Sequence, residues 1–175
     1  SKRDKVGNAV QMTGIHTDIN KQKLNQEKLR RYNEILELIA KGESSANVLN
    51  AIVEHAETVL SGGICSILLL DQSGNKLVDG IAPNLPDFYN KAIDGIEIGM
   101  GAGSCGEAAF SGRRVIASDV MTHPNWEAYR ELTQKAGVQS CWSEPVFSSS
   151  GEVLGTFAIY HSSAREPDVE DLKIS

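Results

Sequence analysis

Two β-hairpins bracket the body of this sequence, and any fold that holds both must build a sheet on which the chain turns back twice. ICSILLLD (residues 64–71) is an unbroken apolar run of strand length, and the QSGN turn after it leads to KLVDGIA (76–82) as its partner. Towards the end, VQSCWSEPVFS and EVLGTFAIYH are two more strands, joined by the Ser149-Ser150-Gly151 turn. Between the hairpins, Asn84-Leu85-Pro86 opens a short helix, PDFYNKAI, and residues 124–136 read as another. A glycine-dense string, IEIGMGAGSCGEAAFSG, and a short strand, RRVIASD, lie between those helices. Helices near the ends and strands paired as hairpins make the class α+β, with a central mostly antiparallel sheet of about five to six strands flanked by helices. The middle loops and short helices then cover one face of the sheet, the side where a small-molecule pocket is expected.

Upstream of the first hairpin the pattern changes period. Residues 20–42, NKQKLNQEKLRRYNEILELIAKG, are rich in helix formers, hold no proline and close on Gly42, so a long N-terminal helix is expected with Asp18 able to cap it. Leu29, Tyr32, Leu36 and Ile39 step by three and four, the a/d spacing of a coiled coil, and Ile35 and Leu38 widen the stripe. Two readings stay open: a parallel dimer helix, or a helix folded onto one domain only. A second helix follows, capped by Ser44 or Ser45, with Val48, Leu49, Ile52, Val53, Ala56 and Leu60 on one face and Gly62-Gly63 ending it. Before both, residues 10–19 (VQMTGIHTDI) alternate as a strand would, with Gly14 as a bulge. That strand has no partner in sight, so it reads as the end of a truncated domain or an arm on the next one. A final helix is expected to start at Asp168.

Composition excludes several functions. With 41% apolar and 23% charged residues over 175 positions, the chain has a soluble globular balance and room for one well-buried domain plus an extra segment. It contains no apolar run of membrane-spanning length, and SKRDKVGNAVQ at the start lacks the apolar stretch of a signal peptide. Residues 1–41 carry nine Lys and Arg against five Asp and Glu, whereas residues 42–175 carry eight against eighteen. An acidic body argues against nucleic acid as a partner, because phosphate binding needs clustered positive charge. The sign-alternating N-terminal charges suit a solvated helix. Three cysteines, Cys65, Cys105 and Cys141, form no close pair, which suits a reducing, cytoplasmic setting better than a disulfide framework.

Three blocks in order, CSILLLDQSGNKL, IEIGMGAGSCGEAAFSGRRVIASDV and SCWSEPVFSSSGEVLGTFAIYH, resemble the GAF domain of bacterial signalling proteins. The preceding VQMTGIHTDINKQKLNQEKL resembles the last strand and exit helix of a PAS domain. The resemblance implies three parts: 1–19 as the C-terminal strand of a truncated PAS domain, 20–42 as a linker helix, and 43–175 as a GAF domain with the start of an exit helix. It further implies a sensory or regulatory domain, a homodimer through terminal helices, and an output module that makes or degrades cyclic-di-GMP. A sensor histidine kinase and a ligand-free dimerisation spacer are the alternatives.

The glycine-dense string lacks the GK[ST] ending of a phosphate loop and the strand–GxGxxG–helix order of a dinucleotide site. Its glycines either let backbone pass close to a ligand before a helix opens at Ser104, or make a tight turn on the sheet. Cys105 occupies the family's Gly-x-Cys-Gly position, where a helix N-terminus lowers a thiol's pKa. Its alternatives are a small residue facing the pocket and a redox-active thiol. Cys141 lies on a strand with Trp142 on the opposite face, and its side is the one that can meet Cys105. Cys65, inside an apolar run, reads as a small core residue. Trp126, Tyr129, Trp142 and Phe110 suit the wall of a mostly apolar pocket, or simply the core.

The candidate pocket is thus Gly103, Ser104, Cys105, Trp126, Tyr129, Cys141 and Ser143. No catalytic residue is nominated. The GAF-fold free methionine sulfoxide reductase is the enzyme of this resemblance, but it needs further cysteines in the stretch that here, at 111–140, has none. No cofactor is indicated: bilin attachment wants a Cys-His pair and cyclic-nucleotide binding a signature that is absent. His16, His55, His123 and His161 are scattered, so no metal site is expected and each reads as a surface residue.

Overall fold

The computed structural model describes residues 13–60, 62–168 and 171. The chain divides into two units, residues 1–43 and 44–175. In the first, α1 (Thr13–Ala40) is one continuous helix of 28 residues. The strand expected over 10–19 is therefore corrected: Thr13–Ile19 are helical, and residues 10–12 lie outside the described ones. β-branched residues at 13, 15, 17 and 19 favour a strand locally. A lone strand satisfies none of its backbone groups, whereas a helix satisfies its own and propagates cooperatively from the strong helix formers downstream. The helix ends where Gly42 takes a left-handed φ of 71° and Glu43 N–H bonds the Leu38 carbonyl at 3.1 Å. Leu29, Tyr32, Leu36 and Ile39 are all exposed.

The second unit opens with α2 (Ser45–Val59). Ser44 is its N-cap, its hydroxyl accepting from Asn47 N–H at 3.3 Å. Then follow β1 (Ile64–Leu70), β2 (Lys76–Ile81), α3 (Asp87–Ile93), β3 (Ile96–Glu97), α4 (Gly103–Ser111) and β4 (Val115–Ala117). A 3-10 segment (Pro124–Tyr129) runs into α5 (Arg130–Ala136), and β5 (Ser140–Phe147) and β6 (Val153–His161) close the fold. The six strands form one antiparallel sheet in the order β3-β2-β1-β6-β5-β4. The two hairpins thus meet through β1 and β6 at its centre, and the outermost strands are two and three residues long. The helix expected from Asp168 lies largely outside the described residues.

Period-two alternation sorts the strands onto two cores. Cys65, Ile67, Trp142 and Ile159 face α2, packing with Val53, Leu49, Ile52 and Ala56. Leu68, Cys141, Ala158 and Tyr160 face the other way, against Tyr89 and Ile93 of α3, Cys105 and Ala109 of α4, and Trp126. Cys65 is a core residue as expected. Burial, with the nearby Glu57 carboxylate, pushes its thiol up to about 12. The β1–β2 turn is held by Asp71, whose carboxylate accepts from Ser73 Oγ (2.7 Å), Asn75 N–H (2.9 Å) and Lys76 N–H (3.0 Å). Among the described residues no helix is long and apolar enough to cross a membrane.

Candidate functional site

The face of the sheet away from α2 carries the site. Here α4 begins one residue earlier than the expected Ser104, at Gly103, whose φ of 65° lets the chain leave the glycine turn directly beneath the Trp126 ring. Backbone bonds from Ala102 N–H to Gly99 carbonyl (3.3 Å) and Gly99 N–H to Gly106 carbonyl (3.2 Å) close that turn. Ser104 is fully buried and both its hydroxyl functions are used. It donates to the Cys141 carbonyl at 3.2 Å and accepts from Trp126 Nε1–H at 3.1 Å. Asn125 Nδ2 also donates to the Glu107 carboxylate, so two side-chain bonds tie the 3-10 segment to α4.

Above this turn is a small cavity of about 20 Å³, enough for one water molecule. Gly103, Ser104, Cys105, Trp126 and Tyr129 line it, together with Ala102, Leu68, Tyr89, Ile93, Ile96 and Tyr160. Trp126 is buried and Tyr129 half-buried, their rings edge-to-face at 6.2 Å, so they form a roof. Of the expected pocket residues, Cys141 and Ser143 do not reach the cavity; both are fully buried. Phe110 is exposed and belongs to neither cavity nor core.

Cys105, third in α4, sits where polar groups converge. Tyr160 OH lies 3.7 Å from its sulfur and 3.1 Å from Ser66 Oγ, while the buried hydroxyls of Ser143 and Thr156 have no hydrogen-bond partner. The Cys141 thiol, then the nearby hydroxyls, hold the Cys105 thiol below its ordinary value despite burial. Cys141 is pushed up, by desolvation first and then by Cys105. Tyr160 likewise rises through burial.

Sequence reasoning missed Tyr89 and Tyr160, which meet edge-to-face at 5.9 Å. Alternation along β6 could have found Tyr160, since it pairs with Cys141 across the β5–β6 ladder. Tyr89 carried no such signal, because its position depends on how α3 docks.

The histidines divide. His123 caps the 3-10 segment, its Nδ1 accepting from Asn125 N–H at 3.3 Å. His161, expected on the surface, is buried with its ring tilted against Trp142 at 4.7 Å, because its strand residue pairs with Ser140 within the sheet. Burial first, then Arg165, lowers its pKa.

Residues 42–174 match the GAF domain family. The methyl sulfide methyltransferase-associated sensor of Methanosarcina acetivorans is 41% identical over 172 residues, which is 98% of this chain. The chain spans only 17% of that protein's length. Among solved structures, the fold is similar to the GAF domain of a phosphoenolpyruvate-protein phosphotransferase from Coxiella burnetii (TM-score 0.62, 17% identity, 84% of each chain). It is also similar to the free methionine-R-sulfoxide reductase of Neisseria meningitidis in complex with its substrate (TM-score 0.58, 19% identity, 81% of this chain and 77% of the other).

Proposed function

The chain belongs to the GAF domain family. On that premise we propose that its body is a sensory domain that takes a small, largely apolar ligand at the first turn of α4. The observation that carries this reading is the cavity under Trp126 and Tyr129, apolar on its walls and ending at the Cys105 sulfur. Anything larger than water must lift the roof, and lifting it stretches the Trp126–Ser104 bond that links the 3-10 segment to β5 through the Cys141 carbonyl. A ligand changes output only by binding two such arrangements with different affinity, and here roof-down and roof-up are the two. The relative's description as a sensor supports the same reading.

The rest of the proposal concerns the whole protein. α1 pairs with a second copy through Leu29, Tyr32, Leu36 and Ile39, a truncated PAS domain precedes it, and the terminal helices drive an output module. Cyclic-di-GMP turnover as that output rests on the resemblance alone, and a sensor histidine kinase is the alternative. A GGDEF or EAL string after residue 175 supports the first, and a phospho-accepting histidine with an ATP-binding domain the second.

One observation favours a second reading, a ligand-free spacer: the cavity is small and the Ser104 hydroxyl is saturated within the protein. Comparing the native and denatured masses of the full-length protein purified from its own host separates the two. Non-covalent mass that is lost in Trp126→Ala supports the sensor. Bare chains under all growth conditions leave the spacer.

A further inference from the structure

The ladder between β1 and β2 slips once. Ile67 pairs with Ile81 and Leu69 with Val78, so Asp79 and Gly80 of β2 stand opposite the single residue Leu68. Asp79 takes a φ of 51°, uncommon outside glycine, and its N–H donates to the Asp94 carboxylate at 3.2 Å. Between this bulge and the end of α3 lies a cleft of about 280 Å³, close to the lower end of the roughly 300–1,000 Å³ of small-molecule sites. Leu68 and Ile93 line the cleft and also line the cavity of about 20 Å³ under Trp126, so the same two apolar side chains bound both spaces. A Cβ at Gly80 would lie 2.7 Å from Leu68 Cδ2, so Leu68 leans into room that only glycine leaves. The rest of the cleft is rich in acceptors. Asp79 and Asp94 are exposed, and among the described residues neither carboxylate has an ion-pair partner. Asn90 donates through Nδ2 to the carbonyls of Ala82 (3.0 Å) and Leu85 (3.4 Å), which leaves its water-shielded Oδ1 without a partner. Against these acceptors stands one cation, Lys91.

On the ligand-sensing reading above, we propose that this cleft is the outer half of the sensory site and takes a primary alkylammonium. The head sits between Asp79 and Asp94, and the apolar tail passes between Leu68 and Ile93 into the cavity. An ammonium carries several N–H donors and a positive charge, so it satisfies both carboxylates by charge-assisted hydrogen bonds. A neutral molecule of the same shape gains less there, and an anion is repelled. The surrounding body, with eight Lys and Arg against eighteen Asp and Glu over residues 42–175, favours the approach of a cation. Lys91 opposes it and tempers the affinity. A tail wider than the cavity lifts the Trp126–Tyr129 roof from beneath, which stretches the Trp126–Ser104 bond. The cleft thus selects the ligand by charge, and the cavity converts its tail into a displacement.

The test is a ligand-observed NMR titration of the full-length protein at neutral pH with n-butylammonium chloride, beside ethylammonium and the neutral n-butanol. n-Butylammonium should bind at least roughly tenfold more tightly than ethylammonium, since each buried methylene contributes about fourfold. It should also bind more tightly than n-butanol. Asp79→Asn combined with Asp94→Asn keeps a residue type that tolerates the left-handed backbone and keeps the Oδ1 acceptor. That double variant should weaken n-butylammonium roughly tenfold, and Lys91→Met should tighten it. The cation class is overturned if n-butanol binds as well as n-butylammonium, or if the double variant binds unchanged. Passage between Leu68 and Ile93 is overturned if affinity does not rise with tail length. If no alkylammonium binds although the native protein carries a non-covalent ligand that is lost in Trp126→Ala, the cation is wrong and the sensory reading stands. If neither is found, both fall.

Discussion

At Gly155 a single hydrogen decides whether the sheet can close. A Cβ there would collide with the Leu68 carbonyl oxygen and lie 3.1 Å from Leu69 Cα, both backbone atoms that cannot step aside. Gly155→Ala should therefore cost at least about 3 kcal/mol, read as a lowered denaturant midpoint at unchanged m-value. Ser143 is the opposite case. Its hydroxyl has no strong partner to lose, so Ser143→Ala should change stability by less than about 1 kcal/mol in the same titration. At this scale the sequence was informative where alternation applies: Cys141 and Trp142 fall on opposite faces, and Cys141 meets Cys105, as period two requires. It was silent on Thr156, Tyr160 and Tyr89, whose roles depend on which strands become neighbours. Ser143 was placed in the pocket for the same want of depth: a sequence gives the face of a strand but not the distance from the cavity.

Elements were legible where a local signal ends them. The Ser44 cap, the QSGN turn, the Pro86 entry to α3 and the Ser149–Gly151 turn each combine a residue type with a fixed offset, and each stands where that offset puts it. Residues 13–19 were misread because their β-branched pattern is local while the helix that absorbs them is cooperative. The stretch 124–136 was read as one helix but is a 3-10 segment followed by α5. Its two tethers to α4 are side-chain bonds that no periodicity reveals. The Asp71 turn carries a pH prediction. Ser73 first, then the backbone N–H groups, hold its carboxyl down to about 2. A depressed folded value contributes stability fully present above the usual carboxylate range, about 4, and lost as pH falls through the folded value. Amide exchange at Asn75 and Lys76 should thus quicken, beyond the intrinsic pH trend, only as pH approaches about 2. Asp71→Ala should remove that acid step and leave the turn open at neutral pH.

For the whole molecule, the α+β class and single antiparallel sheet follow from the two hairpins, and the family follows from the order of the three sequence blocks. Assembly did not follow, since a four-residue a/d seam fits both a dimer helix and a helix used by one chain. The exposure of Leu29, Tyr32, Leu36 and Ile39 gives that question a direct test. Sedimentation should find the protein dimeric and Leu36→Glu at least roughly tenfold weaker in self-association, because a charge in an a/d seam is left desolvated. A monomeric wild type would remove the seam from consideration. The sheet itself constrains how copies can meet. The outermost strands, two and three residues long, each present only a short row of free amides and carbonyls to another chain. Outer strands this short offer little for strand exchange or fibril-like growth, so copies of this domain can be crowded together with little tendency of the sheets to seed one another.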